Sequence, residues 1–220
     1  MAAEKLYEQD SHLRECEARV TGCVPWNEGF AVTLDRTVLF PEGGGQPADH
    51  GTLETASGSV PVTDVREKEG EVYHLTSRPL ESGETVTVRL DWDRRLDHIQ
   101  QHTGEHILSH ALWFLTGANN VGFHMGHDVV TIDLDRPLTQ EELDRAEDYA
   151  NRQIWEDRPI RAYQTTPGQR KQMKLRKTTE KLSGELRVVE VEGGDCCTCC
   201  GTHAGCTGEV GLIKIIRTES

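Results

Sequence analysis

The chain has 220 residues, 28% of them charged, with a formal net charge of −13 and seven cysteines. That length buries a core without disulfide staples, and the acidic balance excludes non-specific nucleic-acid binding through bulk charge. No apolar run approaches the length of a membrane span. The opening MAAEKLYEQDSHLRE has no basic stretch leading into an apolar one, so no secretion signal is read and a cytoplasmic location is expected. An odd cysteine count argues against a secreted disulfide framework. Four of the seven crowd into DCCTCC, Asp195 to Cys200, where neighbours are too close for strain-free pairing. Such a cluster reads as metal-binding or catalytic, and a monomer is the default.

Residues 12–90 read as strands. ECEARVTGC, GFAVTLDRTVLF, GTLETASGSVPVTDVREKEG, EVYHLTS and ETVTVRLDW alternate polar and apolar residues between Gly, Ser, Asn and Pro punctuation. This spacing predicts a small antiparallel barrel or sandwich. PEGGGQPADHG interrupts it, with Gly43, Gly44 and Gly45 permitting conformations closed to other residues. The texture changes near Asp91, giving expected domains of 1–90 and 91–220. Leu96, Ile99, Ile107, Leu108, Ala111, Leu112 and Leu115 recur at helical spacing, and Gly117 is the expected stop. VGFHMGHDVVTIDLD predicts a hairpin. Thr139 and Glu142 form a capping box heading a helix to about Trp155. RPIRAYQTT, ELRVVEVEG and EVGLIKIIR predict further strands, so the second half is α+β.

His98, His102, His106 and His110 stand four apart and stack on one helix face. Any adjacent pair could share a metal, and spacing alone does not choose between them. Cys199 and His203, with three residues between them across Gly201-Thr202, present a thiolate and an imidazole from a tight turn. Two helix ligands and two turn ligands, three histidines and one cysteine in all, make a set suited to Zn2+. Cys196, Cys197 and Cys200 are competing donors, and Cys206 is not. His102-Thr-Gly-Glu105-His106 also fits H-x-x-E-H, the pattern of inverted zinc peptidases, in which Cys199 and His203 have no role. From Arg158 to Lys181 runs a basic strip, with Lys171, Lys174 and Arg176 at its centre, opposed only by Glu180.

FPEGGGQPADHG, HTGEHILSH, NNVGFHMGHDVVTIDLD, LRVVEVEGGD, CCGTH and TGEVGLIKI, in that order, resemble the editing domain of alanyl-tRNA synthetase and its free-standing AlaX-type relatives. The likeness covers nearly the whole chain, and KLYEQDSHLRECEARV is similar to the family's first strand. It implies an N-terminal β-barrel followed by a two-layer α/β editing domain, as in the medium-sized members. It assigns one Zn2+ per chain to His102, His106, Cys199 and His203, leaving His98 and His110 as neighbours or surface groups. Cys200 stands where the family has a glycine.

The implied reaction is hydrolysis of the ester on mischarged alanine tRNA carrying serine or glycine. Serine differs from alanine by one hydroxyl, which a hydrophobic synthetase pocket rejects weakly. A second site that hydrogen-bonds the hydroxyl selects it. The metal either activates the attacking water or orients the substrate. Glu105 is then a candidate for orienting water, and Thr103 for bonding the serine hydroxyl or the carbonyl. The Gly43–Gln46 loop becomes a cradle with Gln46 as polar reader, and His124 a pocket wall. Lys171, Lys174 and Arg176 become tRNA phosphate contacts. A zinc-stabilised tRNA-binding module without catalysis is the alternative.

Overall fold

The structure, a computed structural model, describes residues 2–126, 129–177 and 184–219. The chain divides into two compact units, Met1–His98 and Ile99–Ser220. No helix among the described residues is long and apolar enough to cross a membrane.

The first unit opens with β1 (Glu4–Lys5) and the one-turn α1 (Leu6–Gln9). There follow β2 (Glu15–Trp26), β3 (Gly29–Leu34), β4 (Arg36–Thr37), β5 (Gly51–Thr55), β6 (Gly58–Lys68), β7 (Glu71–Thr76) and β8 (Thr85–Leu90). β4 pairs in parallel with β1, and the other six close into a barrel in the order β2-β3-β7-β6-β5-β8. Alternation drives the closure. Ala18 and Val20, Val32 and Leu34, Val60 and Val62, and Val86 and Val88 all point inward to one core. Register shifts at Val20/Gly22 and Val62/Asp64 bend β2 and β6, as closing so small a sheet requires.

Polar side chains are also buried in this unit. His74 of β7 is fully buried, with Nδ1 3.0 Å from Val32 O and Nε2 2.8 Å from the Thr37 hydroxyl. Arg95 and Asp49 are fully buried as an ion pair. Arg95 also donates to Ser11 O and Val38 O, each at 2.7 Å, and Asp49 accepts the Phe40 N–H at 2.7 Å. Every polar group of the pair is thus occupied, the condition under which buried charge is tolerated.

The long helix α2 (Trp92–Thr116) starts in the first unit and continues into the second. It ends at Gly117, whose φ of 74° and N–H bond to Trp113 O at 2.8 Å form a left-handed cap. Then come the antiparallel pair β9 (Asn120–Met125) and β10 (Val130–Leu134), and α3 (Gln140–Trp155), headed by the Thr139/Glu142 capping box. His127 and Asp128 of the expected hairpin lie outside the described residues. β11 (Ile160–Thr165), α4 (Pro167–Arg170), β12 (Leu186–Val191) and β13 (Cys196–Thr198) complete the unit, with an antiparallel sheet ordered β11-β12-β13. Ile107, Ala111 and Leu112 of α2 pack on Leu143, Ala146, Ala150 and Ile154 of α3, together with Ile213.

The expected last strand, EVGLIKIIR, is a correction. Thr207–Val210 is a 3₁₀ turn, Gly211 adopts φ 80°, and the residues beyond pair with no strand among the described residues. Side chains of α3 take the place of a neighbouring strand. Asn151 accepts the Ile213 N–H at 2.9 Å and donates to Ile213 O at 2.8 Å, while Glu147 accepts the Ile215 N–H at 2.5 Å. The β-branched side chains that suggested a strand instead serve burial: Ile213 enters the α2–α3 core.

Candidate metal centre

The centre lies wholly in the second unit. α2 carries His102 and His106 one turn apart, both buried, while Ile107 and Ala111, on the other side of the helix, enter the core with α3. The turn after β13 brings up Cys199 and His203. The donor atoms of these four residues lie within 4.8 Å of one another. Cys199 Sγ is 3.4 Å from His102 Nε2 and 3.3 Å from His203 Nε2. Nitrogen and sulfur donors on one tetrahedral zinc stand about 3.6 Å apart. The spacing and the donor set, three imidazole nitrogens and one thiolate sulfur, both fit that ion. Of the histidine ladder, His102 and His106 belong to this group and His98 and His110 do not. Nor are those two at the surface: they are 5% and 7% exposed, with each Nδ1 lacking a hydrogen-bond partner.

Charge in the cluster is unevenly divided among the four donors. Burial opposes ionisation of Cys199, but the adjacent His102 and His203 imidazoles hold its thiol well below the ordinary value. The Gly201 N–H points at its sulfur from 3.4 Å. Burial, joined by His102 and His106, pushes His203 down to about 3. Burial also disfavours a charged His106, yet Cys197 and Asp195 outweigh it and raise His106 well above its ordinary value.

The neighbouring groups reassign several expectations. The Thr103 hydroxyl lies 3.2 Å from His203 Nδ1 and accepts the Ala204 N–H at 3.0 Å. It therefore holds a ligand ring and the following backbone. In the tautomer that donates Nδ1–H to Thr103, Nε2 is left open toward Cys199. Glu105 is 7% exposed, with Oε2 3.8 Å from His106 Nε2. Its Oε1 accepts from Ser109 Oγ at 2.5 Å and from Asn120 Nδ2 at 2.6 Å. Asn120 is 8% exposed, and its Oδ1 has no partner.

His124 is corrected. It is exposed on β9, and by strand alternation its neighbour Phe123 faces the other way, stacking on His102 at 5.2 Å. Asn120, Phe123 and Asp195 were missed as site residues. The first two lie inside NNVGFHMG, three residues apart, where a strict period of two would set them on opposite faces; the register shift at Asp133/Leu134 breaks that period between them. Asp195 heads DCCTCC, and a ligating histidine calls for a carboxylate on its second nitrogen; its Oδ2 stands 3.1 Å from His106 Nδ1.

The glycine loop is a tight turn in the first unit. Gly43 and Gln46 exchange backbone bonds of 3.1 and 3.0 Å across Gly44 (φ 61°) and Gly45 (φ 85°), the pair of positive φ values of a type I′ turn. Gln46 is fully buried, so the reader role expected of it is corrected; what the loop presents to solvent is Gly44 and Gly45. The basic strip is also smaller than it reads. The Arg176 side chain is only 6% exposed, bonding Asp195 at 2.6 and 3.0 Å, and so leaves the set of phosphate contacts. Arg158 and Arg170 are partly buried and bonded to backbone carbonyls, while Lys171, Lys174 and Lys177 are not enclosed in this way. Lys181 lies outside the described residues. Of the competing cysteines, Cys200 is exposed and Cys197 is buried beside Asp195.

Two family models match. One, described as tRNA synthetases class II (A), covers residues 9–94, and the other, threonyl and alanyl tRNA synthetase second additional domain, covers residues 186–220. The chain is 36% identical to the alanyl-tRNA editing protein AlaX-L of Pyrococcus horikoshii, over 97% of this chain and 54% of that protein. It is 35% identical to an alanyl-tRNA editing protein of Rattus norvegicus, over 97% of this chain and 55% of that one. To the alanine–tRNA ligase of Ignicoccus hospitalis it is 35% identical, over 98% of this chain and 24% of the ligase. The chain thus spans about half the length of the curated editing proteins it matches.

Proposed function

Because the chain belongs to the alanyl-tRNA editing family, we propose that it hydrolyses the ester of mischarged alanine tRNA carrying serine or glycine, with one zinc ion held by His102, His106, Cys199 and His203. The observation that carries this reading is the buried cluster of three imidazoles and one thiolate with the Glu105 carboxylate beside it. Bound there, zinc supplies Lewis-acid polarisation. Everything else falls to the chain. Thr103 fixes the His203 ring, and Phe123 packs flat on His102 and covers it from water. Glu105 has one oxygen tied to Ser109 and Asn120, which leaves Oε2 facing the cluster to orient an attacking water and take its proton.

Asn120 Oδ1 supports selectivity. It is a buried acceptor with nothing to accept. A serine side chain brings the O–H that satisfies it, and alanine leaves it unpaired. Lys171 and Lys174 are exposed cations that suit the tRNA backbone. A cytoplasmic location suits a tRNA substrate and keeps thiols such as Cys199 reduced. A zinc peptidase gives Cys199 and His203 no role, although they sit at the centre of the cluster.

The test is ester loss from Ser-, Gly- and Ala-charged alanine tRNA. Clearance of the seryl ester with the alanyl ester spared is expected. Tight tRNA binding with no clearance of any ester would instead favour a non-catalytic zinc module. Cys199→Ala should lose zinc and hydrolysis together, and retention of both would mean the ligands are others.

A further inference from the structure

His106 has two ring nitrogens, and the cluster engages only one side of the ring. On the other side stands Asp195, 1% exposed, with Oδ2 3.1 Å from Nδ1. Arg176 grips the same carboxylate with two donors: Nε reaches Oδ1 at 2.6 Å and a terminal guanidinium nitrogen reaches Oδ2 at 3.0 Å. Cys197 Sγ completes the group, 3.4 Å from Asp195 Oδ2 and 3.5 Å from His106 Nδ1. His106, Asp195 and Cys197 have by themselves the spacing of a second metal site. The guanidinium already occupies the cation's place, however, bonded to the carboxylate and 3.8 Å from the sulfur. A divalent ion there would meet like charge at contact distance in a buried setting.

We infer that Arg176 and Asp195 are positioning residues for the metal centre: the arginine fork locks the carboxylate, the carboxylate locks His106 Nδ1, and Nε2 is thereby reserved for the four-donor site. The inference rests on the ligand assignment proposed above. A ligating imidazole needs its second N–H held by a fixed acceptor, and losing such a partner typically weakens metal binding by 10–100-fold. Asp195 alone would be a poor anchor, free to turn or to bind metal itself. A bidentate guanidinium removes both freedoms, which an ammonium, as a point charge, does only in part.

The experiment uses the full chain, stripped of metal and titrated with Zn2+ against a chromophoric chelator. The Co2+ form is read by its thiolate absorption. Wild type should take up one zinc. Arg176→Met should weaken zinc binding by about 10- to 100-fold and alter the Co2+ spectrum, with Arg176→Lys in between because charge returns without the fork. Asp195→Asn should weaken binding as well. Circular dichroism identifies variants that fold, and a merely structural arginine would leave the affinity ranking unmoved. Folded Arg176→Met and Asp195→Asn proteins with wild-type zinc affinity and Co2+ spectra overturn the proposal. So does a wild-type stoichiometry of two, which would put a second ion where the guanidinium sits. A wild type that binds no zinc overturns the ligand assignment itself, and that outcome is distinct from the other two.

Discussion

Thr103 bears on the metal site through His203. Its hydroxyl is shared between His203 Nδ1 and the Ala204 N–H, so Thr103→Val keeps the shape and takes that hydroxyl away from both groups. Zinc affinity should fall by about tenfold or more, measured by chelator competition; unchanged affinity would show that His203 is held by packing alone. Lys171 and Lys174 support a prediction of a different kind. Their ammonium groups are open to solvent, so reversing both charges should weaken tRNA binding most at low salt and leave zinc content untouched. A salt-independent loss, or none, would remove them from the interface. At this scale residue type and spacing marked a histidine ladder and a Cys-His turn but left every adjacent histidine pair open, and only the family resemblance pointed to His102 and His106. Arg176 was not legible, since a basic residue among basic residues reads as solvated, and only the placement of Asp195 takes it inside.

Elements divide by how local their causes are. Helix α3 and its cap were legible because the capping box is a contact between residues three apart, and both halves form. Thr139→Ala should cost about 1 kcal/mol of helix stability, seen as faster amide exchange in the first turn of α3. Hairpin β9–β10 was legible as a hairpin, yet which of Phe123 and His124 faces inward depends on the pleat's phase, and one residue of error reverses every assignment. The C-terminal segment misled for another reason. Ile213 and its β-branched neighbours suit a strand, but their hydrogen-bond partners are the side chains of Asn151 and Glu147, more than sixty residues away. Asn151→Ala should orphan both backbone groups of Ile213, at about 1–3 kcal/mol each if they stay buried. Accelerated exchange confined to the segment after Gly211 is the expected signature, and protection equal to wild type would contradict it.

Across the whole molecule, alternation announced the barrel strands, and helical spacing announced α2 and α3. What could not be read were the polar and charged groups buried within the first unit: in a strand such a residue scans as the outward half of the pattern, and Asp49 in a loop and Arg95 on α2 carry no pattern that marks burial. His74 is the instructive case. Burial holds it down at about 4, against 6.5 for the ordinary value, despite the Val32 carbonyl. The unfolded chain therefore takes up the proton first. Stability from neutral His74 is complete above pH 6.5 and is lost as the pH falls toward 4, by up to about 3 kcal/mol. Urea unfolding followed by exchange of the barrel amides should show that slope in wild type and lose it in His74→Gln. Equal slopes would refute the assignment. Asp49→Ala should cost about 3–5 kcal/mol by stranding the Arg95 charge inside.

The four-residue step from His102 to His106 also sets limits on how this chain can vary. The same turn of α2 carries Thr103 and Glu105, and the next carries Ser109 along with the core residues Ile107 and Ala111. One residue inserted between the histidines would rotate everything beyond it by about 100°. The geometry of the donor cluster and the hydrophobic register would be lost in a single event. Length changes in this helix are therefore closed to evolution and to engineering alike, and retuning of the site has to proceed by substitution at fixed positions.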